Sequence, residues 1–83
     1  MSVEALALAD LRRISAYLAV SHKENSRQLV LEAPPQVVSY LLNRKRLELY
    51  NLEKNFDVEI RVEVNPNLGL EEHKLYSRTA KNS

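Results

Sequence analysis

The sequence predicts a small α+β domain with the element order α-β-α-β-β, built as a three-stranded mixed sheet with two helices packed on one face. Three observations predict it. Residues 34–56, PPQVVSYLLNRKRLELYNLEKNF, put Val38, Leu42, Leu49, Leu52 and Phe56 on one stripe at 100° per residue, the pattern of an amphipathic helix. Directly afterwards the period falls to two, with Val58, Ile60, Val62 and Val64 on one side and Asp57, Glu59, Arg61 and Glu63 on the other. Pro34-Pro35 marks both boundaries at once: proline cannot continue a strand's ladder, yet it fits the first turn of a helix, where its missing N–H had no partner.

The first element is a helix from Val3 to Lys23. Ser2 caps it, Glu4 sits near its positive end, and Ala7, Leu11, Ile14 and Leu18 share one face with Leu8 and Ser15 beside them. The polar run Ser21–Ser26, with Asn25 available for a left-handed residue, ends it. Gln28 to Ala33 alternates, with Leu29, Leu31 and Ala33 opposite Gln28, Val30 and Glu32. The charged side of Val58–Val64 implies a sheet covered on one face, with both helices against the valines and this strand in the middle. Asn65-Pro66-Asn67-Leu68-Gly69 is turn chemistry, in which proline fixes φ and asparagine or glycine accepts a positive one. Glu72 to Arg78 then returns antiparallel as the second arm of a hairpin, while the strand-helix-strand unit gives a parallel pair by a right-handed crossover. Residues 1–78 form a single domain and residues 79–83 a frayed polar tail.

Length and composition narrow the function classes. A chain of 83 residues builds one core with a thin stability margin. With 45% hydrophobic residues, 28% charged and a single glycine it is globular. A formal net charge of +1 steers no polyanion, so nucleic-acid contact has to come from local clustering. There is no cysteine, which excludes disulfides and thiolate zinc sites within these residues. The run Val3–Ala9 reads as helix and not export signal, because Glu4 interrupts it and Asp10 ends it. A cytoplasmic protein without membrane contact is expected.

No catalytic residues, metal ligands or cofactor site emerge. His22 and His73 lack partners at ligand spacing, Glu59 and Glu63 suit a solvated sheet face, and the lone Gly69 cannot make a phosphate loop. The open sheet face, Gln28, Glu32, Glu59, Arg61 and Glu63, offers no aromatic platform for bases. Attention falls on the back of helix 34–56. Tyr40, Asn43, Leu47 and Tyr50 have the composition of a protein interface, with Arg44, Arg46 and Lys54 as cations able to meet RNA phosphates. Lys45 falls on the buried stripe and has to snorkel out.

Residues Val37-Val38-Ser39-Tyr40-Leu41-Leu42-Asn43-Arg44-Lys45-Arg46 resemble the V-A-S/T-Y-L-L-N-E-K-R segment in the C-terminal small domain of the ribonuclease E/G family of bacterial endoribonucleases. Upstream, Leu6–Ile14 is similar to the family's S-L-S-x-L-R-x-I and Lys23-Glu24-Asn25 to its K-E-N. Downstream, Leu52-Glu53, the alternating strand and Asn65-Pro66 resemble its I-E…V-x-P-N-P stretch, with His73 near the histidine of P-H-Y. Arg44 stands where the family usually has glutamate, and the 68–74 loop departs from the family pattern. The resemblance implies a noncatalytic part of an RNA-processing nuclease whose magnesium-binding aspartates and zinc linker lie outside this chain. It implies a homo-oligomer that helps shape an RNA-binding surface, with the parent enzyme's catalytic domain as a further partner. The alternative is an independent small RNA-binding module using the basic face of helix 34–56.

Overall fold

The computed structural model describes residues 2–20 and 27–79. They form α1 (Val3–Val20), β1 (Arg27–Ala33), α2 (Pro35–Arg44), α3 (Arg46–Phe56), β2 (Glu59–Val64) and β3 (Lys74–Thr79). The result is the expected α+β domain with a three-stranded mixed sheet, except that the long helix is two helices. The expected helix end at Lys23, the 21–26 run with His22, and residues 80–83 lie outside the described residues. Thr79, expected in the tail, is the last residue of β3.

Local chemistry starts α1 and α2 where the residues said it would, while β3 begins at Lys74 and not at Glu72. Ser2 Oγ accepts the Ala5 N–H at 3.1 Å, satisfying a free donor of the first turn of α1. Pro34 is the extended N-cap of α2, its carbonyl accepting from Val37 and Val38 at 3.1 Å, and Pro35 takes the first helical position. From α1 the side chains of Leu6, Ala7, Asp10, Ile14 and Leu18 turn inward, while Leu11 is half-buried.

Strand order corrects one expectation. The sheet runs β2-β1-β3, so β1 is central and the Val58–Val64 segment forms an edge. Leu29, Val30, Leu31 and Ala33 of β1 have no exposed surface at all, whereas Val64 of β2 is 53% exposed. A strand covered on both faces reads as a continuous apolar run, and Leu29-Val30-Leu31 is that run. Clean alternation in β2 is the mark of a strand with one wet face. β1 pairs parallel with β2, Leu31 beside Val62, and antiparallel with β3, Leu31 beside Leu75, so the expected β2–β3 hairpin does not form and the 65–73 loop instead carries β3 across to the far edge.

Helix 34–56 breaks at Lys45, which leaves helical geometry with φ −125° and ψ 22°. No proline or glycine causes the break. In an unbroken helix Lys45 would stand one turn from both Leu41 and Leu49, which are buried, and its ammonium would be stripped of water. The break re-aims it, so that Lys45 is half-buried and its Nζ lies 3.7 Å from Glu48. Lys45 keeps its own helical bonds, its N–H donating to Leu41 at 3.0 Å and its carbonyl accepting from Leu49 at 3.1 Å.

At the far end of α3, Asp57 adopts the left-handed conformation, φ 53° and ψ 54°. The turn is closed by N–H donors from Asp57 and Val58 to the Glu53 carbonyl, which bends the chain straight into β2. Asp57 is the one described non-glycine residue with positive φ, and the expected positive φ in the Asn65–Gly69 turn is not used. Asparagine and aspartate tolerate this conformation far better than β-branched residues do. Asp57→Val should therefore destabilise the domain by about 1–2 kcal/mol, read as a lower urea midpoint with unchanged slope.

Candidate functional site

The break at Lys45 divides the face expected on helix 34–56. Tyr40, Asn43 and Arg44 stay on α2, where they line a shallow hollow of about 380 Å³ beside Val3. Tyr40 is half-buried against the core, the Arg44 guanidinium sits 5.8 Å from the centre of its ring, and Asn43 donates to Ser39 Oγ at 3.2 Å. Leu47, Tyr50, Arg46 and Lys54 turn away with α3. Leu47 is 67% exposed and Tyr50 52% exposed, and the Lys54 ammonium lies 5.8 Å from the Tyr50 ring centre. The seven residues are thus two patches on two helices, with Leu49 and Val38 beneath them in the core as expected.

The α3 patch is larger than helical periodicity suggests, because β2 completes it. Leu47, Tyr50 and Arg46 form one wall of an open apolar groove of about 600 Å³, and the helix-facing side chains of Ile60 and Val62 form its floor. Neither valine nor isoleucine of β2 could be assigned to a surface while that strand was expected in the middle of the sheet. Once β2 is an edge, its inward side chains are only half covered, and the groove follows.

On the opposite face the sheet is a polar network. Gln28 Nε2 donates to Glu59 at 2.9 Å, Arg78 Nε donates to Gln28 at 2.9 Å, and a second Arg78 nitrogen reaches Glu63 at 3.3 Å. Arg61 lies 3.7 Å from Glu59 and 4.0 Å from Glu63. Contrary to the expectation of no aromatic here, Tyr76 stands beside Val30, and its hydroxyl donates to Glu32. Val30 is fully buried between Arg61 and Tyr76, so the ring serves as a cover for an apolar residue. The Tyr76 and Asn65 hydrogen bonds hold the Glu32 carboxyl below its ordinary range, and the same bond raises the Tyr76 hydroxyl.

One pair was missed in the sequence. Asp10 is buried on the inner face of α1, and its carboxylate meets His73 Nδ1 at 2.6 Å; the other ring nitrogen, Nε2, meets the Leu70 carbonyl at 2.6 Å. An ionised carboxylate and a carbonyl are both acceptors, so the two contacts together need a proton on each ring nitrogen or one retained by Asp10. Burial pushes the Asp10 carboxyl up, against the opposing pull of His73 and Arg13. Both ring nitrogens are engaged, so this imidazole clamps α1 to the 65–73 loop. An acid at a position flanked by Ala7 and Ile14 was the available signal, since a carboxylate at a core position demands a partner.

Among the described residues no group of three His, Cys, Asp or Glu side chains comes together to hold a metal, and no helix is long and apolar enough to cross a membrane. Compared with known proteins, residues 1–79 match the model of the family described as RNase E/G, Thioredoxin-like domain. The chain belongs to that family. A curated relative, ribonuclease E of Haemophilus influenzae, is 46% identical over 43 residues, which is 52% of this chain and 5% of that enzyme. The chain therefore corresponds to a small fraction of the relative's length. With no cysteine among its 83 residues, this RNase E/G thioredoxin-like domain carries no dithiol of its own, whatever the fold name suggests.

Two measurements probe the buried chemistry of this RNase E/G domain. His73→Ala strands the Asp10 carboxylate in the core and should cost about 3 kcal/mol at pH 7 by urea unfolding. Because the Asp10 carboxyl is raised above 3.8, the penalty of its charge is absent below pH 3.8 and develops as pH rises, so the variant's deficit should shrink in acid. Glu32 has the opposite sign. Its carboxyl lies below 4.5 in the folded state, so its contribution is present above pH 4.5 and lost as pH falls. The stability gap between the unaltered chain and Glu32→Gln should close on acidification.

Proposed function

We propose that this chain is a noncatalytic domain of an RNA-processing endoribonuclease of the RNase E/G type, serving subunit association and helping to shape the enzyme's RNA-binding surface. One observation carries the reading. Leu47 and Tyr50, a large aliphatic and a large aromatic residue, stand 67% and 52% exposed beside an apolar groove and are flanked by Arg46 and Lys54. Buried aromatic and aliphatic anchors with arginine at the rim are what the centres of protein interfaces are made of. Membership of the RNase E/G family supports the nuclease context, and the catalytic domain of a longer parent chain is then the intramolecular partner.

Direct RNA contact is the second reading, supported by Arg44 and Lys54, each 5.8 Å from a tyrosine ring centre. Cations beside exposed rings suit a single strand, whose phosphates and bases take the two components separately. The near-balanced charge of the chain makes this the weaker reading.

Sedimentation of the 83-residue chain should show concentration-dependent dimers, and Leu47→Glu should weaken them by roughly thirtyfold or more while leaving the urea midpoint nearly unchanged. A strict monomer at millimolar concentration removes the association reading. For RNA, single-stranded oligonucleotide binding should fall with salt by a log–log slope of roughly 0.7 per phosphate contact, and Arg44→Ala or Lys54→Ala should each reduce that slope. Absence of binding at low salt removes the second reading.

A further inference from the structure

The order β2-β1-β3 leaves β2 hydrogen-bonded on one side only. Which groups point outward follows from two contacts. Asn65 N–H donates inward to Ala33 of β1 at 2.9 Å, whereas Ile60 N–H donates outward, to the Glu53 carboxylate at 2.7 Å. Backbone groups alternate along a strand, so those of Val62 and Val64 share the outward side with Ile60. Glu53 closes one end of this edge and leaves the rest open. Exposed edges attract strands, and this one runs along the floor of an apolar groove.

We propose that two copies of the chain join through their β2 edges, antiparallel and two-fold symmetric about Val62, so that two three-stranded sheets become one of six strands. The proposal rests on the self-association reading above and adds the strand that carries it. Charge selects the occupant, and charge together with the Glu53 contact selects the register. Opposed residues in such a pair share a face, so the symmetry axis has to pass through a residue of β2. Centred on Val62, Arg61 of each copy stands opposite Glu63 of the other, and Ile60 opposite Val64. Centred on Arg61, the pairing sets Arg61 against itself and Glu59 against Glu63. Centred on Glu63, it sets Glu63 against itself. A centre at Ile60 opposes Glu59 to Arg61 but sets both Glu53 carboxylates, each holding an Ile60 N–H, at the axis between the two strands, where the central hydrogen bonds would form. Like charges directly opposed destabilise a sheet pair.

The favoured register also uses what the monomer leaves open. Val62 N–H and carbonyl exchange two hydrogen bonds across the axis, and each Val64 N–H donates to Ile60 of the other copy, while Glu53 keeps the Ile60 N–H. Val64, 53% exposed in the monomer, gains an isoleucine neighbour. The helix-facing valines of the second strand then extend the groove floor toward Leu47 and Tyr50.

The test uses the 83-residue chain and keeps the two readings apart. Sedimentation reports whether dimers form; amide hydrogen exchange reports which strand forms them. On raising the concentration through the dimer midpoint, the Val62 and Val64 amides should slow by roughly tenfold or more, and outward amides of β3 should not. Since the chain has no cysteine, Val62→Cys introduces a lone thiol, and a hydrogen-bonded antiparallel pair holds the two Cα atoms about 5.5 Å apart, within disulfide range. Mild oxidation should cross-link Val62→Cys readily and Arg61→Cys poorly. Dimers without Val62 protection or cross-linking overturn the strand pairing and leave self-association standing. A monomer throughout overturns both. Val62 protection that appears only when a foreign extended peptide is added assigns the edge to another partner and also overturns the pairing.

Discussion

Leu29, Val30, Leu31 and Ala33 of β1 have no exposed surface, and the rest of the domain is arranged to keep them dry. On one side Leu29, Leu31 and Ala33 meet the inner faces of α1 and α2. On the other, Val30 sits alone in a polar surface and is fully buried by Arg61 and Tyr76. Those covers bring a guanidinium and a hydroxyl with them, and each needs a partner. Glu59 and Glu63 meet the guanidinium and Glu32 accepts from the hydroxyl, while Gln28 and Arg78 link these acids into one network across the open face.

A central β1 decides where unsatisfied surface is left. β2 becomes an edge, its valines half covered, and the bend at Lys45 carries α3 alongside it without sealing the gap. A core this small cannot bury every apolar side chain: Leu42, Leu52 and Phe56 are half-buried although they belong to the apolar stripe. The apolar surface left open in this family member therefore gathers where the fold is incomplete. Uncovered apolar surface lies at a sheet edge and a helix face. By contrast, the side away from the groove is tied down, with His73 locking the 65–73 loop to Asp10 of α1 and Asn65 holding Glu32.

Much of the fold was legible because it is written in local chemistry. Ser2 caps α1, the proline pair separates β1 from α2, and alternation marks β2; each depends on residues a few positions apart. The errors came where a residue's role depends on distant partners. Leu29-Val30-Leu31 carried the signal of a doubly covered strand, but six residues of cleaner alternation at 59–64 looked more like the centre of a sheet. Lys45 was placed correctly on the buried stripe, and the chain resolves that conflict by bending instead of by snorkelling alone. Asp10 looked like the end of an apolar run, because its partner His73 is 63 residues away.

From residue order alone came the number of strands, the parallel pairing of β1 with β2, the exposure of Leu47 and Tyr50, and the resemblance to RNase E/G. Periodicity, capping and motif all act over a few bonds, so they survive without a folded context. Only the tertiary structure decided which strand lies in the middle, that the helix bends at Lys45, that Asp10 meets His73, and that Ile60 and Val62 join Leu47 and Tyr50 around one groove. These depend on which surfaces remain uncovered once every element competes for the same small core, and that competition has no signature in any single segment.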